Sequence, residues 1–285
     1  MMELAEGELV TRDGLRLYRR SWCASVPRAR VILVHGLGEH CARYDHVGEF
    51  FANEGFSLHG YDQRGFGRSP GRRGHCARFS DYLADLDCLV GAVSAEQPPR
   101  PTLLYGHSFG GLVVLAYALD HPDRIAGVIA SGPALGVGTP VPKWKRRLAD
   151  LLDAVWPTLA MPAGLSSAAL SRNPEVGRKY DADPLVEKRV TVRYYKELVR
   201  AMAETNRRAP EFRVPLLVVQ GGADALVSPT AVIDWFARAG SAQAGKPDKT
   251  LKVYEGFYHE LHNEDERERL FADLRTWLAR FPEAQ

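Results

Sequence analysis

Pro101-Thr102-Leu103-Leu104-Tyr105-Gly106-His107-Ser108-Phe109-Gly110-Gly111-Leu112-Val113-Val114 is the stretch that decides the fold. A short apolar run enters a Gly-x-Ser-x-Gly pentapeptide, and a second apolar run leaves it. That order reads as strand, tight turn and helix, with a serine at the apex of the turn. A serine hydroxyl is a poor nucleophile, so placement has to help it. A strained strand-to-helix turn pushes Oγ forward, and the following helix N-terminus aims N–H groups at developing negative charge. Glycines on both sides fit, because side chains there would crowd the turn. A chain of this length shows the pentapeptide by chance in roughly one case in ten, so its surroundings must support it.

Strands and helices alternate outward from this turn. Glu8–Arg19, around Asp13-Gly14, alternates apolar and polar residues and reads as an N-terminal β-hairpin. Val31-Ile32-Leu33-Val34 reads as a strand buried on both faces. A helix over Tyr44–Asn53, a strand over Phe56–Tyr61 and a helix over Phe79–Ala95 follow, and Pro98-Pro99 closes the last. Beyond the serine helix come a strand at Ile125–Ala130 and, after an interruption, a strand at Pro215–Val219. A helix at Thr230–Ala239, a strand at Thr250–Tyr254 and a closing helix at Glu264–Phe281 complete the pattern. Such alternation predicts an α/β fold: a mostly parallel central sheet with helices on both faces and antiparallel strands at the leading edge.

The interruption has a different texture. Trp144, Leu148, Leu151, Leu152, Val155 and Trp156 form one helical stripe, and a charged helix is expected over Val190–Thr205. With no buried-strand run in it, the segment reads as a helical cap over the carboxyl ends of the sheet. The expected organisation is therefore core at 1–134, cap at 135–209 and core again at 210–285.

Bulk numbers exclude several classes. The 285 residues, 45% apolar and 25% charged, are those of an ordinary globular protein. A net charge of +2 gives no excess to neutralise phosphates, so no nucleic-acid partner is expected. Cys23, Cys41, Cys76 and Cys88 are scattered, so neither a metal site nor a disulfide framework is expected. The acidic start Met1-Met2-Glu3-Leu4-Ala5-Glu6 lacks an apolar signal region, and no run approaches 18 apolar residues. A cytoplasmic protein is expected.

A serine nucleophile needs a base, and the base needs a group that holds its tautomer. Of nine histidines, His259 fits best, on a loop after the strand Lys252-Val253-Tyr254 and before the last helix. His262, three residues on, is the competitor, and each also reads as a plain surface histidine. The acid should follow the preceding strand, and Val218-Val219-Gln220-Gly221-Gly222-Ala223-Asp224 supplies Asp224. Asp234 is its rival, set back in the following helix. The order Ser108, Asp224, His259 is that of the α/β-hydrolases. An oxyanion needs two N–H donors, each worth about 10²–10³ in rate. Phe109, after the serine, is one, and Leu37 in His35-Gly36-Leu37-Gly38-Glu39-His40 is the other.

At these residues the chain resembles the monoglyceride lipase and lysophospholipase-like family of the α/β-hydrolase superfamily. Residues His35–His40 are similar to that family's His-Gly-x-Gly-Glu-His loop. Asp62-Gln63-Arg64-Gly65-Phe66-Gly67-Arg68-Ser69 resembles its Asp-x-Arg-Gly-x-Gly-x-Ser turn. Ser171–Val176 and Asp183–Val186 resemble its cap. Tyr258-His259-Glu260-Leu261-His262-Asn263-Glu264 resembles its histidine loop, in which the first histidine is catalytic. Phe109 stands where Met is more usual, and no cysteine lies in the cap. Asp62 and Arg64 read as residues that shape a turn rather than touch substrate.

The resemblance implies a small-molecule ester substrate of the monoacylglycerol or lysophospholipid type, hydrolysed through an acyl-enzyme without metal or cofactor. The cap's apolar stripe is consistent with an acyl channel, and Lys143, Lys145, Arg146 and Arg147 around Trp144 are consistent with peripheral contact on anionic lipid. A solvated helix face is the plain reading of the same residues. Rivals are a proline-iminopeptidase-like aminopeptidase, with Asp181 or Asp183 holding the amine, and a non-catalytic binding protein on the same fold. Epoxide hydrolases and haloalkane dehalogenases, which place Asp where Ser108 stands, are disfavoured.

Overall fold

A computed structural model of the chain describes residues 2–138, 142–245 and 248–282, and the side chains of Lys143, Lys145 and Arg146 lie outside the described residues. The hairpin pairs β1 (Glu3–Val10) with β2 (Arg16–Cys23), in register from Glu3 opposite Cys23 to Val10 opposite Arg16. Then come β3 (Ala29–Val34), α1 (Asp45–Asn53), β4 (Phe56–Tyr61), α2 (Ser80–Ser94), β5 (Thr102–His107), α3 (Phe109–Asp120) and β6 (Gly127–Ser131). An eight-stranded sheet, completed by β9 (Leu216–Gly221) and β10 (Lys249–Tyr254), has the order β1-β2-β4-β3-β5-β6-β9-β10. Pairs from β4 onward are parallel, and β2 is antiparallel to both its neighbours. The expected mostly parallel sheet with an antiparallel edge is the one observed.

Strands β3, β4, β5 and β6 are buried along their whole length, which accounts for their mostly apolar sequences, with Arg30, Ser57, His59, Thr102, His107 and Ser131 as buried polar exceptions. Each buried Val, Leu or Ile contributes about 1.5–3 kcal/mol, so replacing one of them with a polar residue is expected to be costly. Alternate side chains feed two cores. One face packs Ile32, Val34, Leu104 and Val128 against α2, α3 and α7 (Pro229–Arg238). The other packs Val31, Leu33, Leu103 and Ile129 against α1 and α8 (Glu268–Leu278).

Between β6 and β9 (Leu216–Gly221) lie α4 (Lys143–Val155), β7 (Ala160–Pro162), α5 (Pro174–Ala182), β8 (Arg189–Thr191) and α6 (Val192–Arg207). Asn173 Oδ1 caps α5 and Thr191 Oγ1 caps α6 through first-turn N–H groups. This segment is not purely helical, because β7 and β8 pair as a short antiparallel ribbon. Three-residue strands carry too little period-2 signal to be read from sequence. The apolar stripe is also corrected. Trp144, Leu148, Leu151, Val155 and Trp156 are exposed, with Val155 at 76%, so they do not line an internal channel.

The closing helix starts later than expected. Glu264 turns inward and accepts from Tyr258 N–H at 2.7 Å and from Arg172 Nε at 3.0 Å, so Leu261–Asn263 forms a separate 3-10 turn before α8. β10 (Lys249–Tyr254) closes the far edge of the sheet. No helix among the described residues is long and apolar enough to cross a membrane.

The sharpest packing constraint is where α3 crosses the sheet. A Cβ on Gly110 would stand 2.0 Å from the Val34 carbonyl oxygen, and one on Gly106 2.3 Å from the Gly110 carbonyl oxygen. Both contacts are with backbone, which cannot swing aside. Gly110→Ala is expected to cost on the order of 3 kcal/mol, seen as a lower urea midpoint. An unchanged midpoint would show that α3 can withdraw from β3.

Candidate active site

Ser108 sits between β5 and α3 with φ 55° and ψ −116°, the only non-glycine residue with positive φ among the described residues. A non-glycine residue held there costs about 1–3 kcal/mol. The turn is pinned on both sides: Ser108 N–H donates to Ser131 O at 2.9 Å, and its carbonyl accepts from Leu112 N–H at 3.1 Å and Ala134 N–H at 2.9 Å. Oγ is thereby fixed at the carboxyl end of the central strands.

Loops after β10 and β9 bring two further residues to it. His259 Nε2 lies 2.8 Å from Ser108 Oγ, and His259 Nδ1 lies 2.7 Å from Asp224 Oδ2. A carboxylate only accepts, so Nδ1 carries the hydrogen and Nε2 is free to accept from the serine hydroxyl. Asp224 Oδ1 accepts from Leu226 and Val227 N–H, both at 2.9 Å, and Gln220 Nε2 donates to Oδ2 at 3.1 Å. Burial alone would raise the Asp224 pKa. The bonds from His259, Val227 and Leu226 outweigh it and leave the carboxyl below its usual range.

The competitors are placed elsewhere. His262 is fully buried, stacked on Tyr44 at 4.7 Å between ring centroids, and neither ring nitrogen has a protein partner among the described residues. Asp234 is exposed on α7. Asp62 accepts from Cys41 and Arg68 N–H, both at 2.8 Å, while Arg64 is tied to Asp85 and Asp13, so both shape the turn.

Leu37 lines the cavity in front of Ser108. Among the described residues, neither the Leu37 nor the Phe109 N–H is spent on a protein acceptor. What holds the Leu37 loop is a side chain passed over in the sequence. Glu39 Oε1 accepts from Gly36 N–H and from Tyr44 Oη, both at 2.6 Å, and Oε2 accepts from Arg43. Arg43 also grips both oxygens of Glu260, at 2.8 and 2.9 Å, next to His259. Burial would raise the Glu39 pKa, but Arg43 holds it well below the ordinary value. Glu39 stands inside the quoted loop motif. Its acidity amid glycines and histidines was the available signal.

The cavity is tight, about 10 Å³, and is walled by Leu165, Leu170, Tyr180 and Leu226. That is room for about one water. A wider polar cleft of about 430 Å³ lies beside it, between Arg43 and α5. Asp183 reaches the His40 ring at 2.8 Å and accepts from Leu185 N–H, and Asp181 is taken by Lys188 and Ser167. Neither acid is left to hold a substrate amine.

Chemically, the line from Asp224 through His259 to Ser108 can move a proton off the serine and stabilise the imidazolium that results. Among the described residues, no group of three His, Cys, Asp or Glu side chains is placed to hold a metal ion.

Residues 25–266 match the family model described as serine aminopeptidase, S33. A monoacylglycerol lipase of Mycolicibacterium smegmatis is 34% identical over 93% of this chain and 93% of its own length. The phospholipase YtpA of Bacillus subtilis is 33% identical over 92% of this chain and 99% of its own. The chain spans only 29% of a longer abhydrolase domain-containing protein of Dictyostelium discoideum, to which it is 33% identical. In structure, it is similar to the monoacylglycerol lipase of Paleococcus ferrophilus at TM-score 0.84 and 33% identity, over 93% of this chain and 99% of that one. The fold is that of the α/β-hydrolases.

Several buried histidines are held uncharged. Burial, then the neighbouring His259, pushes His107 down to about 4, and burial lowers His35 and His262. The unfolded chain takes up these protons below about pH 6.5 and the folded chain does not. Stability therefore falls as pH drops below that value, at up to about 1.4 kcal/mol per pH unit for each such group. His262→Phe keeps a ring against Tyr44 and removes one titration. It is expected to flatten the decline of Tm between pH 6.5 and 5, and a decline as steep as that of wild type would assign it to other groups.

Proposed function

This chain belongs to the serine aminopeptidase S33 family, and from that premise we propose that it hydrolyses monoacylglycerol or lysophospholipid-type esters through an acyl-enzyme on Ser108. The observation that carries the reading is the unbroken hydrogen-bonded line Asp224–His259–Ser108 ending on a serine with positive φ. Ser108 Oγ attacks the ester carbonyl while His259 takes its proton. Asp224 holds the imidazole and balances its charge, and the Leu37 and Phe109 N–H groups receive the oxyanion. His259 then protonates the leaving alcohol and activates the water that releases the acid. No step calls for a metal or cofactor.

The lipase and phospholipase names of the relatives favour esters over peptides, and so does the engagement of Asp181 and Asp183. A non-catalytic role is disfavoured by the intact three-residue line. We take residues 135–209 as a cap between core segments 1–134 and 210–285. An acyl ester enters the cavity of about 10 Å³ only when the segment bearing Leu165 and Leu170 shifts, and hydroxyls of the head group face the polar cleft beside Arg43. The proposed setting is a cytoplasmic enzyme that touches lipid with the exposed face of α4. Leu148, Leu151 and Val155 would enter the interface there, with Arg147 near anionic headgroups.

A panel of p-nitrophenyl esters, monoacylglycerols and aminoacyl anilides tests the chemistry. Turnover of monoacylglycerol is expected to fall about 10⁴-fold or more in Ser108→Ala and about 10⁴-fold in Asp224→Asn. Turnover that survives Ser108→Ala would remove the mechanism, and preference for anilides would move the chain to peptidases. For the membrane face, flotation with anionic vesicles is expected to recover wild type and to lose the double variant Leu148→Glu, Leu151→Glu. Equal recovery of both would leave α4 as a solvated helix.

A further inference from the structure

The peptide unit between Gly36 and Leu37 lies against Ser108 and is held from behind. Both residues line the cavity there, and a Cβ on Gly36 would stand 3.3 Å from Ser108 Cβ. Glu39 takes the Gly36 N–H at 2.6 Å. The Gly36 carbonyl is taken by a different side chain, with His35 Nδ1 standing 2.8 Å from it. His35 follows β3, is fully buried and does not itself line the cavity.

The hydrogen on Nδ1 is set from the other side of the ring. Gln63 N–H donates to His35 Nε2 at 2.9 Å, so Nε2 accepts and the hydrogen of the neutral ring sits on Nδ1. Its acceptor is then the Gly36 carbonyl. Gln63 Nε2, 3.3 Å from Nδ1, is a second donor and spends a hydrogen on the His35 carbonyl at 2.7 Å. Burial lowers the His35 pKa, although Asp62 and Glu39 act the other way. A charged ring would set an N–H on Nε2 against the N–H of Gln63. Tyr61 of β4 is in register with Val34 of β3, so the loops carrying Gln63 and His35 leave adjacent strand ends. In a trans peptide the C=O and the next N–H point in opposite directions. With its carbonyl fixed on His35, the Gly36–Leu37 unit turns the Leu37 N–H away from that ring, and this N–H has no protein acceptor among the described residues.

We propose that His35 is a positioning residue for ester hydrolysis: its Nδ1–H, fixed by the Gln63 backbone, holds the Gly36 carbonyl so that the Leu37 N–H faces the oxyanion formed at Ser108. This role rests on the ester-hydrolase reading and on Leu37 as a donor. A donor held in place before substrate arrives needs no reorganisation as charge develops, the condition under which it is worth about 10²–10³ in rate.

Two esters compared on the whole chain at pH 7 test it: p-nitrophenyl acetate, and O-(p-nitrophenyl) thionoacetate, which puts sulfur where the oxyanion would form. Sulfur accepts hydrogen bonds poorly and its bond to carbon is longer, so aimed N–H groups favour the oxygen ester. The ratio of the two kcat/KM values does not depend on how much of a sample is folded. His35→Phe is expected to lower that ratio roughly 10-fold or more. His35→Asn, with an amide N–H where Nδ1–H stood, is expected to stay near the wild-type ratio, and Asp224→Asn to slow both esters alike. An unchanged ratio in His35→Phe, an equally low one in His35→Asn, or an equal fall in Asp224→Asn would overturn the role. Ring ¹H–¹⁵N correlations of the unaltered chain are expected to show the Nδ1–H tautomer at His35. The Nε2–H tautomer would overturn the role even if His35→Phe fails to fold. Wild type that cleaves neither ester would overturn the hydrolase reading itself, and this role with it.

Discussion

The close approach of α3 to the parallel strands is the constraint on which the rest depends. Gly110 lies so near the Val34 carbonyl, and Gly106 so near Gly110, that the chain passes from β5 into α3 within one residue. That residue is Ser108, and its positive φ is the local cost of so sharp a reversal. Hydrogen bonds from Ser131, Leu112 and Ala134 hold it there. With Ser108 immobile, the loops after β9 and β10 need only deliver Asp224 and His259 to a fixed point. Strands paired in register, Lys249–Tyr254 against Leu216–Gly221, make those loops start side by side.

A second layer surrounds this point and is built from charge. Arg43 lies between Glu39 and Glu260, so one buried cation ties the loop carrying Leu37 to the loop carrying His259. Buried ion pairs add little net stability when the lost hydration is counted, yet removing one member is costly. Their use here is positional. Around them stand His35, His107 and His262, each pushed by burial toward the neutral form. In the proposed mechanism an uncharged wall would spare the imidazolium at His259 from repulsion.

The segment between β6 and β9, our proposed cap, is seated on the same loop. His40 meets Asp183, and Glu187 N–H donates to the Gly38 carbonyl at 2.7 Å. The backbone beside Leu37 thus touches both the cavity at Ser108 and the proposed cap.

Much of this protein was written in the order of its residues. Runs such as Val31–Val34 and Leu103–Tyr105 are apolar on both faces, which suits the central parallel strands that bury them. The turn at Ser108 was marked by glycines that local sterics demand, and Asp224 and His259 each follow a strand end. Roles set by contacts between distant segments stayed hidden. Glu39 and Glu260 are 221 residues apart, and Arg43 links them only once the sheet is assembled. Helical period placed six apolar residues, five of them within α4, on one stripe, but period cannot say what a stripe faces, and most of this one faces outward. The different placements of His259 and His262 were hidden in the same way. Two histidines three residues apart share a composition, and only the folded loop sets one ring between Ser108 and Asp224 and stacks the other on Tyr44. Local chemistry determined the strands, the turn and the order of the reacting groups. Tertiary packing decided which side chains meet, because burial and long-range contact are properties of the assembled sheet and not of any single segment.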